Sequence, residues 1–133
     1  MNNNIKKLLV FAWIPLALSC QKKDTTPADL SKVAVIFSTP AAGQVYHKGD
    51  TVQISANATY TSEIIGLYVQ VIDSASGSVL FEDNHDLHTD HYSFSESWAD
   101  TLSKNKTLNV VVTVFVANTP EKTERRTYII SQP

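Results

Sequence analysis

One cysteine in 133 residues rules out an internal disulfide, so the stability of a monomer must come from packing. Glycine is scarce, at four residues, and none of the four belongs to a Gly-rich loop of the kind that cradles phosphate. No apolar run exceeds the eleven residues Leu8–Leu18, which as a helix would span about 16 Å of a ~30 Å hydrocarbon core. A stable transmembrane helix is therefore not expected. Basic charge is not in excess either: 11 Lys and Arg face 13 Asp and Glu. That balance gives no reason to expect nucleic-acid binding. No internal repeat, low-complexity run or helical periodicity is present.

What is present begins with an ordered amino terminus. Met1–Lys7 is polar and carries Lys6 and Lys7, Leu8–Leu18 is apolar, and the small residue Ser19 precedes Cys20. A charged start, an apolar stretch and a small-residue end are the parts of a secretory signal. The expected domains are a signal peptide over 1–19, a lipidated start and flexible tether over 20–31, and a single domain over 32–133. Removal of Lys6 and Lys7 leaves 9 basic against 13 acidic residues, a formal net charge of −4. The tether, Gln21–Ser31, is polar, contains Pro27 and has no periodic pattern.

Beyond it the chain reads as short strands separated by turns. Val33–Ser38 is rich in β-branched and aromatic residues. Thr51–Ala58 alternates, with Val52, Ile54, Ala56 and Ala58 on one face. Ile64–Asp73 alternates again, with Ile65, Leu67, Val69 and Val71 inward and Tyr68 and Gln70 outward. Ser74–Gly77 predicts a hairpin turn, Val79–Glu82 a short strand and Asp83–Asp90 a polar loop. His91–Trp98 places Tyr92, Phe94 and Trp98 together, with Glu96 in the same register as the mark of a bulge or an edge. Leu108–Asn118 is the strongest strand, with Leu108, Val110, Val112, Val114 and Val116 inward. Glu124–Ser131 is the last. About seven short strands with turn signals between them predict an all-β fold, an antiparallel two-sheet sandwich. If the strands run up and down, Thr59–Glu63, Asp83–Asp90 and Asn118–Lys122 share the pole near the tether. Pro40–Asp50, Ser74–Ser78 and Ala99–Lys106 share the far one, where loops would present a partner surface.

Two resemblances add to this reading. Leu16-Ala17-Leu18-Ser19-Cys20 resembles the lipobox of bacterial lipoproteins, which implies a diacylglycerol on the Cys20 sulfur and an acyl chain on its amine. The residue after Cys20 is Gln21 and not the Asp of inner-membrane retention, and Gln21–Asp24 is similar to surface-export tags of Bacteroidota lipoproteins. The implied location is a lipid-anchored site at the outer membrane, on its periplasmic or cell-surface side. Pro40–Gly43, Tyr46 and Lys48–Ile54 resemble the opening of bacterial immunoglobulin-like and fibronectin-III-like domains, over roughly residues 33–131. In addition, Asp24-Thr25-Thr26, Asp50-Thr51-Val52, Asp73-Ser74-Ala75 and Asp100-Thr101-Leu102 resemble the O-glycosylation sequon of exported Bacteroidota proteins, with Thr25 the most accessible acceptor.

The one cluster with chemistry of its own is His85-Asp86-Leu87-His88-Thr89-Asp90-His91. In a loop, His85, His88 and His91 could surround a Zn or Cu ion, imidazole being a suitable ligand for both. On a regular strand they could not, because His88 would point away from the other two. His47 belongs to the opposite pole. No nucleophile–base–orienter set is present, so an enzyme is not expected. Tyr46, Tyr60 and Tyr68 are candidates for exposed rings that would stack on a sugar, and Trp98 is assigned to the core. The expected function is a membrane-anchored binding or adhesion module with an unidentified protein or glycan partner. The alternatives are metal binding by the histidine loop and glycan binding in a polysaccharide-uptake system.

Overall fold

The computed structural model describes residues 26–133, and these form six strands and one short 3-10 turn. The strands are β1 (Ala34–Thr39), β2 (Gln44–His47), β3 (Thr51–Asp73), β4 (Val79–Ala99), β5 (Lys106–Val116) and β6 (Lys122–Gln132). They run in the order β1-β3-β5-β6-β2, with β4 paired to β3 alone. All pairings are antiparallel except β2 with β6, which is parallel. The expected signal peptide and Cys20 lie outside the described residues, as does Thr25.

Two of these strands are twice the expected length, and both serve two layers. The amino-terminal half of β3 pairs with β1 and with the carboxy-terminal half of β4. Its carboxy-terminal half pairs with β5 and with the start of β4. Between the pairs Thr59↔His91 and Ile64↔Thr89, β3 advances five residues while β4 advances two. Such a mismatch bends a strand sharply, and it is how a sheet turns a corner and becomes two layers. The segment Thr59–Glu63 is therefore extended chain at a corner and not a free loop. Asp83–Asp90, expected to be a loop, is also strand, paired with β3 from Val69↔Asp83 to Ile64↔Thr89. The seven-strand sandwich is thus built from six strands, two of them shared between layers. Gln44–His47, expected within the Pro40–Asp50 loop, is a strand that holds Tyr46 against the core.

The alternating residues do what their spacing implies. Val52, Ile54, Ala56 and Ala58 from one layer share one buried cluster with Leu67, Val69, Val71, Leu108, Val110, Val112, Val114 and Val116 from the other. Ile65 is the exception. Ile64 takes the buried position, because the register slips between Ile64 and Gly66. The polar face of Thr51–Ala58 pairs with serines of β4: Gln53 and Ser55 bond Ser95, and Asn57 donates to Ser93. Trp98 is half-buried and packs on the core rim. Glu96 points inward from an edge strand, in unbroken register with Ile54. The edge explanation for it is the correct one, and there is no bulge at that point. An inward charge on an edge strand also discourages edge-to-edge pairing.

The turns account for most of the Asp-Thr and Asp-Ser pairs. Asp50 Oδ2 accepts from His47 N, Asp73 Oδ1 from Ala75 N, and Asp100 Oδ1 from Leu102 N. Each closes a local turn through its own side chain. In the Asp73 turn, Gly77 donates to the Asp73 carbonyl at φ 72°, a left-handed conformation that glycine adopts without Cβ conflict. Residues 28–31, expected to belong to the tether, are docked on the body. Asp29 caps the Leu30–Lys32 turn, Ala28 and Leu30 pack on the core, and Asp29 N donates to Tyr60 Oη.

Asp73 also pairs with Lys106, tying the β3–β4 turn to the start of β5. The hydrogen bond from Lys106, with help from Ala75 N, holds the Asp73 carboxyl well down, at about 2. A carboxyl whose folded value lies below its unfolded one stabilises the fold at higher pH and loses that contribution as pH falls through the folded value. The urea midpoint of Asp73→Asn should therefore lie below wild type at pH 7, with the gap closing between about pH 4 and pH 2. A gap that persists unchanged at pH 2 would mean that ionisation is not its cause.

Candidate functional site

The structure separates the three histidines expected to act together. His85 points into the open edge of the sandwich and is 18% exposed. His88 points outward, 75% exposed, with Nδ1 2.9 Å from Glu63 Oε1. His91 is also exposed, with Nδ1 2.7 Å from Asp90 Oδ1. That hydrogen bond holds the Asp90 carboxyl below its usual range. The physical reason is the secondary structure. Cβ direction alternates along β4, which sends His88 away from His85. The corner shift between Thr89 and His91 then reverses the alternation and turns His91 outward too. Ser93 Oγ is bonded to Asn57, not to the neighbouring His91. His47 pairs with Asp50, near the Gly49–Asp100 contact of the far pole.

A different set of donors is assembled instead. Among the described residues, the one group of three His or acidic side chains with donor atoms within 4.8 Å of one another is Asp83, His85 and Glu96. Asp83 and His85 sit on the first half of β4 and Glu96 on the second, so the group bridges the two layers at their open side. In the sequence Glu96 stands out only as a break in pattern. Its partner His85 is eleven positions away, a separation that only a strand crossing from one layer to the other brings together.

The tyrosines also divide. Tyr46 is buried, and Tyr60 is packed against the core with its hydroxyl engaged by Asp29 N. Tyr68 alone of the three presents its ring, at 39% exposure, on the outer face of β3. It meets Phe115 of β5 at a centroid distance of 5.0 Å and an interplanar angle of 58°. Beside them is a shallow concavity of about 330 Å³, lined by Ile65, Gly66, Asn84, His85, Asp86 and the two rings, with the His85 carbonyl at the Gly66 side. Gly66 creates the space. A Cβ there would stand 3.6 Å from Phe115 Cδ2, in ordinary contact, so the room is not forced by the backbone. The slip that buries Ile64 is what releases Ile65 to line this concavity.

Three solved structures are similar to this chain over about three quarters of its length. Fibronectin(III)-like modules of CbhA from Clostridium thermocellum superpose with a TM-score of 0.49 at 13% identity, covering 74% of this chain and 96% of theirs. The CARDB domain of a Pyrococcus furiosus protein, solved with di-metal ions, gives 0.48 at 11%, covering 75% and 92%. The sporulation control protein Spo0M of Bacillus subtilis gives 0.47 at 11%, covering 77% of this chain and 49% of that one. No protein-family model matches the sequence, and neither does any curated protein.

Proposed function

We propose that this chain is an exported lipoprotein, anchored through acylated Cys20, whose sandwich is a non-catalytic module that binds glycan on the outer face of β4, β3 and β5. The observation that carries the reading is the Tyr68–Phe115 pair beside the Gly66 concavity. The C–H face of a pyranose fits an exposed ring, and the amide of Asn84 and the carboxylate of Asp86 stand ready for its hydroxyls. Placing the surface on a sheet face, away from the far-pole loops, follows from the pairing of Tyr68 with Phe115; the other exposed ring, Tyr128, stands against Gly43. Docking of Ala28–Lys32 leaves residues 21–27 between Cys20 and the body, a reach of at most about 28 Å when extended. The module would then sample sugars close to the membrane that holds it.

A glycan array probed with wild type, Tyr68→Ala and Gly66→Leu tests this. Wild type should give signal above an albumin control. Tyr68→Ala should lower affinity about tenfold, the loss of one stacked ring, or about 1.4 kcal/mol. Gly66→Leu should fill the concavity and abolish the signal while the fold persists. An array with no signal removes the glycan reading, and binding indifferent to both substitutions places the site elsewhere.

A further inference from the structure

At the open side of the sandwich the two halves of β4 face each other, and three donors converge there. His85 Nε2 lies 3.3 Å from Glu96 Oε1 and 3.9 Å from Asp83 Oδ2. That nitrogen is buried and makes no hydrogen bond. The other ring nitrogen, Nδ1, is 3.2 Å from Tyr92 Oη. The imidazole plane is held by ring packing, with Tyr92 at 5.3 Å and Phe94 at 6.2 Å between centroids. One nitrogen held by a hydrogen bond and one left bare toward carboxylates is the arrangement in which a histidine binds a metal ion.

Charge and distance agree with that. The two carboxylates and a neutral imidazole carry a formal charge of −2, and among the described residues no Lys or Arg forms an ion pair with Asp83 or Glu96. Ligands at ~2.0–2.2 Å from a tetrahedral ion are roughly 3.3–3.6 Å from one another. The His85–Glu96 separation already has this value, Asp83 has to close on His85 by a few tenths of an ångström, and all three donor atoms lie within 4.8 Å of one another. We propose that Asp83, His85 and Glu96 form a mononuclear site for a divalent transition-metal ion, with Zn²⁺ the best fit. One nitrogen and two carboxylate oxygens suit Zn²⁺, whereas Ca²⁺ and Mg²⁺ prefer all-oxygen surroundings. Three protein ligands leave a fourth position for water or an incoming ligand at the exposed rim. The ion would clamp the two layers along an edge where β4 has no second strand partner. The His85 side chain turns away from the aromatic concavity that its backbone helps to line, whereas Asp83 and Glu96 have no part in that lining, so Glu96→Gln tests the ion site separately.

The test uses the full chain in detergent, stripped with EDTA, and carrying Cys20→Ser so that the one thiol cannot compete for the probe. Titration with ZnCl₂ should show one saturable site per chain and raise the melting temperature by several degrees, while CaCl₂ at equal concentration does neither. His85→Ala and Glu96→Gln should each weaken Zn²⁺ binding at least tenfold, and the double variant His88→Ala/His91→Ala should bind as before. Glu96→Gln is near-isosteric, so its fold should persist, as an amide NMR spectrum will show. In the same EDTA-stripped Cys20→Ser chain with no ligand-site substitution, Mn²⁺ should broaden amides at 83–85 and 92–96 first. Absence of saturable binding, loss of binding in the double variant, or broadening centred elsewhere each overturns the proposal.

Discussion

Replacing Cys20 by Ser is expected to move the protein from the membrane pellet to the soluble fraction of the cells that make it. The size of the effect follows from chain length. Each methylene buried in a bilayer contributes ~0.8 kcal/mol, and one acyl chain gives only reversible binding, whereas two or more give stable anchoring. The lipobox resemblance implies two chains on the sulfur through glycerol and a third on the amine, all of which depend on one thiol. The apolar run Leu8–Leu18 is too short to span a bilayer, and the formal charge of −4 over residues 20–133 does not favour an anionic surface. Labelling with a clickable palmitate gives the sharpest measurement. Wild type should be labelled and sediment with membranes, while Cys20→Ser should be unlabelled. An unlabelled soluble wild type whose amino terminus is still Met1 would end the lipoprotein reading.

The strands whose inner face meets the core could be read directly, because alternation there is enforced by burial. Leu108, Val110, Val112, Val114 and Val116 are all fully buried, as their spacing requires. The segment 83–90 could not be read that way. Its inward residues are Asp83, His85, Leu87 and Thr89, half-buried at an edge where polar side chains are tolerated, so no apolar alternation marks it as strand. Gln44–His47 escaped for a different reason: four residues with one buried side chain carry too little pattern, and their parallel partner β6 is distant in sequence. The candidate site inherits these gaps. Three histidines close in sequence can form a ligand set only in a loop. In a strand, alternation turns His88 outward, the corner turns His91 outward, and His85 is left beside Glu96. The exposed rings were partly legible, since Tyr68 was assigned outward by alternation. Its neighbour Phe115 lies 47 positions away and is brought beside it by the β3–β5 pairing.

Truncating Leu67 to Ala should destabilise the body more than any change at its surface. Leu67 is fully buried on the half of β3 that is hydrogen-bonded on both sides, opposite His85 in β4 and Val114 in β5. A cavity at such a position costs about 2–5 kcal/mol, because flanking strands held by ladders cannot collapse into the space. Domains of this size are stable by only about 5–15 kcal/mol, and here no disulfide shares the burden. The expected fall in melting temperature is at least about 10 °C, with a matching drop in the urea midpoint and an unchanged slope. Ile36→Ala is the comparison, since Ile36 is 69% exposed on the β1 surface and its loss should stay within about 0.5 kcal/mol. Both substitutions remove apolar atoms, so the contrast between them measures burial alone. If Leu67→Ala matched Ile36→Ala, the two layers would not be closing on one shared core, and the corner at Thr59–Glu63 would not be bringing β4's two halves together. The donor group Asp83–His85–Glu96 would lose its geometric basis with it, because that group exists only where the layers meet.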